Sequence, residues 1–94
     1  MKQQAKALSL AYNFVANYCE YNQKQLIERL SLNKRTLMRM RLGQPVRVET
    51  FYYAIKVLYG IIDSEYMKDI SENGGARSAL FHKVNKELLK ILFL

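Results

Sequence analysis

Turn-forming residues are scarce in this chain, and their scarcity limits the folds open to it. The 94 residues include four Gly and one Pro, whereas a fold of many short strands needs a turn roughly every ten residues. Leu, Ile, Lys, Glu and Gln recur at helical spacing instead. Half of the residues are hydrophobic, so a chain of this length can bury one core but not two. The sequence therefore predicts an all-α fold.

Apolar periodicity and helix-capping residues divide the chain into six predicted helices. The first runs from about residue 4 to residue 19. Asn22 is the predicted N-cap of a second helix and Asn33 that of a third. Gly43, followed by Pro45, is expected to end the third helix. The others are predicted from Val48 to about Gly60, from Asp63 or Ser64 to Ile70, and from about Ala76 onward, after a loop at residues 71–75.

Basic residues are concentrated in the middle of the sequence. The chain carries 15 Lys and Arg against eight Asp and Glu, for a net charge of +7. The six basic residues that lie between Glu28 and Glu49, with no acidic residue among them, are Arg29, Lys34, Arg35, Arg39, Arg41 and Arg47. Such a cluster favours a polyanionic partner, either nucleic acid or an anionic membrane surface. A generic basic surface would give the same total, so the clustering is the more informative observation.

The second and third predicted helices have the spacing of a helix-turn-helix. The apolar residues expected to hold the pair at a fixed angle are Leu26, Leu30, Leu32, Leu37 and Met40. The outer face of the third helix carries Arg35, Met38, Arg39 and Leu42, with Lys34 and Arg41 on its flanks. This face would project into a groove about as wide as a helix, which is the width of the major groove of DNA.

The segment from Asn22 to Gly43, NQKQLIERLSLNKRTLMRMRLG, resembles the lambda-repressor-like, Cro-type helix-turn-helix family. The matching positions are Gln23, Leu26, Leu30, Leu32, Thr36, Leu37, Arg39, Met40 and Gly43. Residues 48–58 and 63–70 are similar to the family's fourth and fifth helices, so the likeness covers roughly residues 5–70. The resemblance implies a five-helix lambda-repressor-like DNA-binding domain with an extra C-terminal helix.

The implied organisation places the DNA-binding domain at residues 1–72 and the C-terminal helix at residues 73–94. Two departures from the family concern the turn and its neighbours: Ile27 stands where Ala is usual, and Ser31 where Gly is usual. We expect Ser31 to adopt a left-handed conformation, which costs a non-Gly residue roughly 1 kcal/mol. Arg41-Leu42 also replaces the usual Glu-Asn before the final Gly.

The resemblance also implies how the segment meets DNA. The predicted base contacts, on a recognition helix at residues 33–42, are Lys34, Arg35, Met38 and Arg39. The predicted phosphate contacts are Gln23, Asn33, Arg41, Gln44 and Arg47. Arg forms two hydrogen bonds to guanine, and Met38 is a candidate for contact with a thymine methyl.

The last predicted helix carries a second apolar stripe. Its members, spaced three, four and three apart, are Phe81, Val84, Leu88 and Ile91. One interpretation is a dimer interface, because proteins that read DNA with one recognition helix usually bind as two-fold dimers. The other is that this helix folds back onto its own domain and covers Phe51 or Tyr52.

These patterns favour sequence-specific binding of double-stranded DNA by a cytoplasmic homodimer, a transcriptional regulator of phage, plasmid or bacterial type that needs no cofactor. A protein-interaction module, such as the antitoxin of a toxin-antitoxin pair, is an alternative that the apolar tail at residues 88–94 keeps open. A third interpretation is peripheral membrane binding by the last helix. The apolar stretches are too short to span a bilayer. The expected partner is DNA and not a membrane.

No catalytic or metal site is expected, and the chain is not expected to be an enzyme. No nucleophile–base pair or phosphate loop can be assembled from the sequence. One Cys and one His do not make a set of zinc ligands. Cys19 lies among apolar positions of the first helix, so we expect a buried, inert thiol, and His82 is expected on the surface of the last helix.

Overall fold

The computed structural model describes residues 2–92, and side chains within residues 3–91. This part of the chain contains five α-helices and no strand. In chain order they are α1 (Lys2–Tyr18), α2 (Gln23–Leu30), α3 (Lys34–Leu42), α4 (Val48–Asn73) and α5 (Ser78–Leu92). The prediction of an all-α fold is confirmed. None of the helices, as far as they are described, is long and apolar enough to cross a membrane.

Helix α1 is the central element of the core. It packs against α3, α4 and α5, and its residues Leu8, Ala11 and Val15 are fully buried. The same cluster of buried side chains includes residues of all five helices. Because each helix contributes to one continuous cluster, the position of α3 is set by the whole domain.

Side-chain caps define the ends of the two short helices. The Asn22 side chain accepts a hydrogen bond from the backbone N–H of Gln25, and the Gln25 side chain accepts one from Asn22 N–H, both at 2.9 Å. This capping box begins α2. The Asn33 side chain accepts from the N–H of Thr36 at 2.8 Å and begins α3, while Gly43, with φ of +74°, ends it. The predicted capping roles of these residues are confirmed.

The turn between α2 and α3 contains a strained residue. Ser31 has φ of 54° and ψ of 35°, which is the left-handed conformation expected there. Its N–H donates to the carbonyl of Ile27 at 2.8 Å. Leu30 is fully buried on one side of Ser31 and Leu32 packs against the core on the other. Their burial offsets the roughly 1 kcal/mol that the left-handed serine costs.

One long helix replaces the two that the sequence predicts between Val48 and Ile70. Helix α4 continues for 26 residues without interruption, and Gly60 lies exposed in its interior. The predicted helix end at Gly60 is wrong because the buried stripe does not stop there: Ile61 and Ile62 follow at once and lie in the core. Their packing outweighs the roughly 1 kcal/mol that an interior glycine costs a helix. Residues 2–92 therefore form five helices and not six.

The turn between α4 and α5 is tied to the interior of the domain. Gly74 and Gly75 have φ of +63° and +79° and reverse the chain. Asp69 is almost completely buried, and its carboxylate accepts a hydrogen bond from the N–H of Arg77 at 2.9 Å. The carbonyl of the same aspartate accepts from Gly75 N–H at 3.1 Å. These bonds fix the point at which α5 begins.

Helix α5 packs onto its own domain. Phe81, Val84 and Leu88 are 2%, 5% and 0% exposed, and Ile91 packs against the same core. The Phe81 ring meets that of Phe14 on α1 edge to face, with centroids 5.5 Å apart. The interpretation of Phe81, Val84 and Leu88 as a dimer interface is therefore wrong, because their side chains are already buried in the core of their own chain, where Ile91 is partly buried as well.

The alternative interpretation, that α5 folds back onto its own domain, is correct, although Tyr52 is not covered. Phe51 is 3% exposed and belongs to the core cluster that α5 joins, whereas Tyr52 remains 60% exposed. The aromatic partners of Phe81 are instead Phe14 of α1 and Tyr66 of α4. Helix α5 thus belongs to the same core as the other four helices. The two final residues of the apolar tail, 93–94, lie outside the described residues.

Candidate nucleic-acid interface

Helix α3 has two sides of opposite character. Leu37 and Met40 are fully buried and anchor it to the core. The exposed positions are Lys34, Arg35, Met38, Arg39, Arg41 and Leu42. At 3.6 residues per turn, residues four apart share a row along the helix. Arg35 and Arg39 form one such row, and a second row beside it carries Lys34, Met38 and Leu42. All four predicted base contacts therefore face solvent together.

The C-terminal end of α3 is fixed to α1 by side-chain hydrogen bonds. The carbonyl of Arg41 accepts from Ser9 Oγ at 3.0 Å and from Asn13 Nδ2 at 3.2 Å. Asn13 Nδ2 also donates to the Ser9 carbonyl at 2.9 Å. These bonds satisfy one of the carbonyl groups that a helix end leaves without an intrahelical partner. The side chain of Arg41 stays exposed, so its backbone holds the helix while its guanidinium is available to a ligand.

The sequence alone does not single out Ser9 and Asn13. In the sequence they are polar interruptions of the apolar stripe of α1. Their role depends on the position of Arg41, which is 28 residues beyond Asn13 and 32 beyond Ser9. The residue after the anchored end, Gly43, also lies close to α1: a Cβ there would stand 3.8 Å from Cβ of Ser9. The C-terminal end of α3 is thus placed by contacts remote in sequence.

A polar cavity of about 430 Å³ lies between α3 and the start of α4. Its lining consists of Leu32, Asn33, Thr36, Arg39, Val46, Arg47 and Thr50. The cavity brings together three predicted site residues that lie up to 14 positions apart in the sequence: Asn33, Arg39 and Arg47. Thr36 and Thr50 add two hydroxyl groups. Two guanidinium groups and two hydroxyls form a set of donors suited to an anionic ligand.

The N-terminus of α4 strengthens this arrangement. Arg47 occupies the N-cap position but makes no side-chain hydrogen bond to the helix. The first N–H groups of a helix lack intrahelical acceptors and attract anions. Thr50, in the first turn, was not among the predicted contacts. A threonine two residues after a helix start is the only signal in the sequence that could have indicated it.

Two other predicted phosphate contacts, Gln23 and Gln44, are exposed but lie apart from this cavity. Gln23 is the first residue of α2, and Gln44 follows the end of α3, where its N–H donates to the carbonyl of Arg39 at 2.9 Å. Neither lines the cavity. Asn33 does line it, yet its side-chain oxygen is already used to cap α3. Only the amide NH₂ group of Asn33 is left to donate to a ligand.

Two side chains with shifted pKa values lie away from the exposed face of α3. Burial raises the pKa of the Tyr12 hydroxyl, and the nearby charge of Arg41 opposes part of the rise. Burial also raises the pKa of the Cys19 thiol to about 11, with Glu65 adding to the shift and Arg77 opposing it. Cys19 is therefore protonated at neutral pH. The prediction of a buried thiol is confirmed.

The exposed face of α3 and the start of α4 can offer positive charge, hydrogen bonds and apolar contacts. His82 is exposed on α5, as predicted, with Nε2 3.0 Å from the Tyr66 hydroxyl. Within the described residues, no three His, Cys, Asp or Glu side chains are placed to hold a metal ion. The groups that α3 and the start of α4 present are cations, amides, hydroxyls and two apolar side chains.

Comparisons with known proteins assign no function to this site. No family model, no curated protein and no solved structure matches this chain. The case for a function therefore depends on what α3 and the start of α4 expose, and on how the core holds them.

Proposed function

We propose that this chain binds double-stranded DNA in a sequence-specific manner and regulates transcription, with α3 in the major groove. The observation that carries the proposal is the exposed face of α3. Lys34, Arg35 and Arg39 are all solvent-exposed on a helix whose opposite side is fully buried. A helix held in this way can enter the major groove, whose width of about 12 Å admits one α-helix.

The arrangement of helices supports the proposal. The short pair α2 and α3, the left-handed turn at Ser31 and the ending at Gly43 agree with a lambda-repressor-like helix-turn-helix. In this interpretation α4 corresponds to the family's fourth and fifth helices joined into one. Helix α1 then supports the recognition helix from behind, through its packing on α3 and its bonds to the Arg41 carbonyl.

The cavity between α3 and α4 supplies the contacts that position the complex. Arg47 and Thr50 lie at the start of α4, beside Arg39 of the recognition helix. A backbone phosphate next to the major groove would accept hydrogen bonds from these donors while Arg35 and the tip of Arg39 reach base edges. Phosphate contacts fix the register of the protein on the duplex, and base contacts select the sequence.

The packing of α5 weakens the antitoxin alternative. That alternative relied on the apolar tail, but Leu88 lies in the core and Ile91 packs against it. Leu89 is 44% exposed. A homodimer on DNA remains a prediction, and its interface must use residues other than the apolar stripe of α5.

The test is selection of bound duplexes from a random library, followed by titration of the selected duplex at several salt concentrations. We expect one enriched motif, and a two-fold symmetric motif if two copies bind together. With roughly four phosphate contacts, affinity should fall about a hundredfold between about 50 and 200 mM salt, because bound counterions are released. An unenriched pool, or affinity that does not change with salt, would refute the proposal.

A matched pair of variants controls for general positive charge. Arg35→Ala with Arg39→Ala removes two cations from α3, and Lys83→Ala with Lys86→Ala removes two exposed cations from α5. The net charge changes equally in both variants. Only the α3 variant should lose the enriched motif. Equal loss in both would mean that the total charge, and not the recognition face, drives binding.

A further inference from the structure

Two large apolar side chains are exposed on α3 among its cations. Met38 is 42% exposed and Leu42 is 57% exposed. The core does not require either of them, because Leu37 and Met40 already anchor the helix as fully buried residues. Apolar surface of this kind gains free energy when a partner removes it from water. The outer face of α3 is therefore built to contact a surface with apolar groups as well as negative charge.

Met38 and Leu42 lie in the same row along α3, one turn apart. Their separation of four residues corresponds to about 6 Å along the helix axis. Stacked bases on one DNA strand are about 3.4 Å apart, so 6 Å corresponds to about two base steps. The thymine C5-methyl is the apolar group that a base presents in the major groove. One side-chain row thus matches the spacing of two thymine methyls.

We propose, as an extension of the proposed DNA binding, that α3 recognises a pair of thymines about two base steps apart through Met38 and Leu42. The adjacent row of Arg35 and Arg39 reads guanine beside them. The bound sequence would then combine thymine methyls with guanine acceptors, and Leu42 becomes a specificity-determining residue in addition to the four predicted base contacts.

The neighbouring charges favour DNA over a protein as the group that covers this row. Lys34 lies in the same row, and Arg35 and Arg39 lie in the next one. A protein surface that covered Met38 and Leu42 would have to neutralise these cations with acidic groups as well. DNA supplies apolar methyl groups and negative phosphates together.

Replacement of thymine by deoxyuridine tests the inference, since it removes only the methyl group. Each thymine of the selected duplex is replaced in turn, and the affinity of the full chain is measured. We expect two positions, about two steps apart, at which the loss is about fourfold, the effect of one methyl group leaving an apolar contact. Deoxyuridine at thymines outside the motif is the control and should have no effect.

Two variants assign the methyl groups to their side chains. Leu42→Ala should bind thymine and deoxyuridine equally at one of the two positions, and Met38→Ala at the other. Both side chains are exposed, so thermal unfolding should stay near that of the unaltered chain. Sensitivity to deoxyuridine that persists in both variants would show that another residue reads the methyls, and would overturn the inference.

The experiment separates failure of this inference from failure of the proposed function. If the chain selects a motif that depends on Arg39 but lacks the thymine pair, or tolerates deoxyuridine throughout, DNA binding stands and the methyl readout is refuted. If no duplex is enriched at all, the proposed function fails and the inference fails with it.

Discussion

Helices α3 and α5 are both amphipathic and both carry exposed basic residues, but the domain holds them in different ways. Helix α3 is short: Leu37 and Met40 anchor it to the core, and its two ends are held by the Asn33 cap and by the Arg41 carbonyl bound to α1. Helix α5 is fixed along its length by Phe81, Val84 and Leu88. Bonds at both ends hold the short α3 in place while six of its nine side chains stay exposed.

Exposed charge alone does not distinguish α3 from α5. Lys83, Lys86 and Lys90 are exposed on α5 just as Arg35 and Arg39 are on α3. What α3 has in addition is a neighbour that presents further donors, the start of α4, across a shared cavity. If α3 acts in binding and α5 in stability, substitutions in the two helices should have different effects.

The largest effect should follow from emptying the core under α5. Leu88→Ala should lower the free energy of unfolding by about 2–5 kcal/mol, because it removes a fully buried side chain and leaves a cavity. Leu89→Ala, one residue along and 44% exposed, is the control and should change it by less than about 0.5 kcal/mol. Urea unfolding followed by circular dichroism measures both. If Leu88→Ala alters oligomeric state and leaves stability unchanged, α5 is an interface after all.

The next effect concerns binding and should appear in α3 and at the start of α4, but not in α5. Arg39→Ala should weaken binding to the selected duplex by about 1–3 kcal/mol and relax the preference at one base position. Arg47→Ala should weaken binding on all sequences about equally, since its proposed partner is a phosphate. Titration on the selected duplex and on scrambled duplexes separates these outcomes. Identical behaviour of the two variants would contradict the division into base and phosphate contacts.

A smaller effect distinguishes the two roles of Asn33. Asn33→Ala removes the α3 cap and should destabilise the chain by about 1 kcal/mol. Asn33→Asp keeps an oxygen that can accept from Thr36 N–H, so stability should stay within about 0.5 kcal/mol, while affinity for DNA falls because a carboxylate replaces an amide donor. Unfolding and DNA titration are measured in parallel. Unchanged affinity in Asn33→Asp would exclude Asn33 from the phosphate contacts.

The smallest effect, measured up to pH 9, is a pH dependence of stability that comes from Cys19, the residue after α1. The folded state raises the pKa of the Cys19 thiol from 9.0 to about 11, so it holds the proton more tightly than the unfolded state. This contribution to stability is present below pH 9 and is lost as the pH rises to 11. At pH 9, where about half of the unfolded thiols have lost their proton, the loss should be a fraction of 1 kcal/mol. Cys19→Ala lacks the titration and is the control; an identical pH dependence in both chains would contradict the shift.

The short helices α2 and α3 were predictable because their determinants are local. Asn22 and Asn33 cap helices through residues three positions away, and Gly43 stops α3 two residues before Pro45. Gly60 shows the limit of the same reasoning. It is followed by two core residues and no proline, so tertiary packing carries the helix through it. Whether a glycine ends a helix depends on what the next turn can bury.

The same limit explains what the sequence could and could not say about the candidate site. Each side chain predicted on the outer face of α3 is exposed, because helical periodicity alone separates that face from Leu37 and Met40. The cavity that joins Arg39 to Arg47 and Thr50 depends on how α4 leaves the end of α3. The surface against which α5 packs could not be predicted for a similar reason: an apolar stripe predicts burial, but not which surface buries it.

The bonds from Ser9 and Asn13 to the Arg41 carbonyl have a consequence for the thermodynamics of binding. A helix of nine residues would fray at its C-terminus in isolation, and ordering it on a ligand would cost conformational entropy. In this domain α1 meets that cost during folding, so α3 is already ordered before any ligand binds. Association should therefore show the modest negative heat-capacity change of a rigid surface that loses water, and not the large one of a segment that folds as it binds.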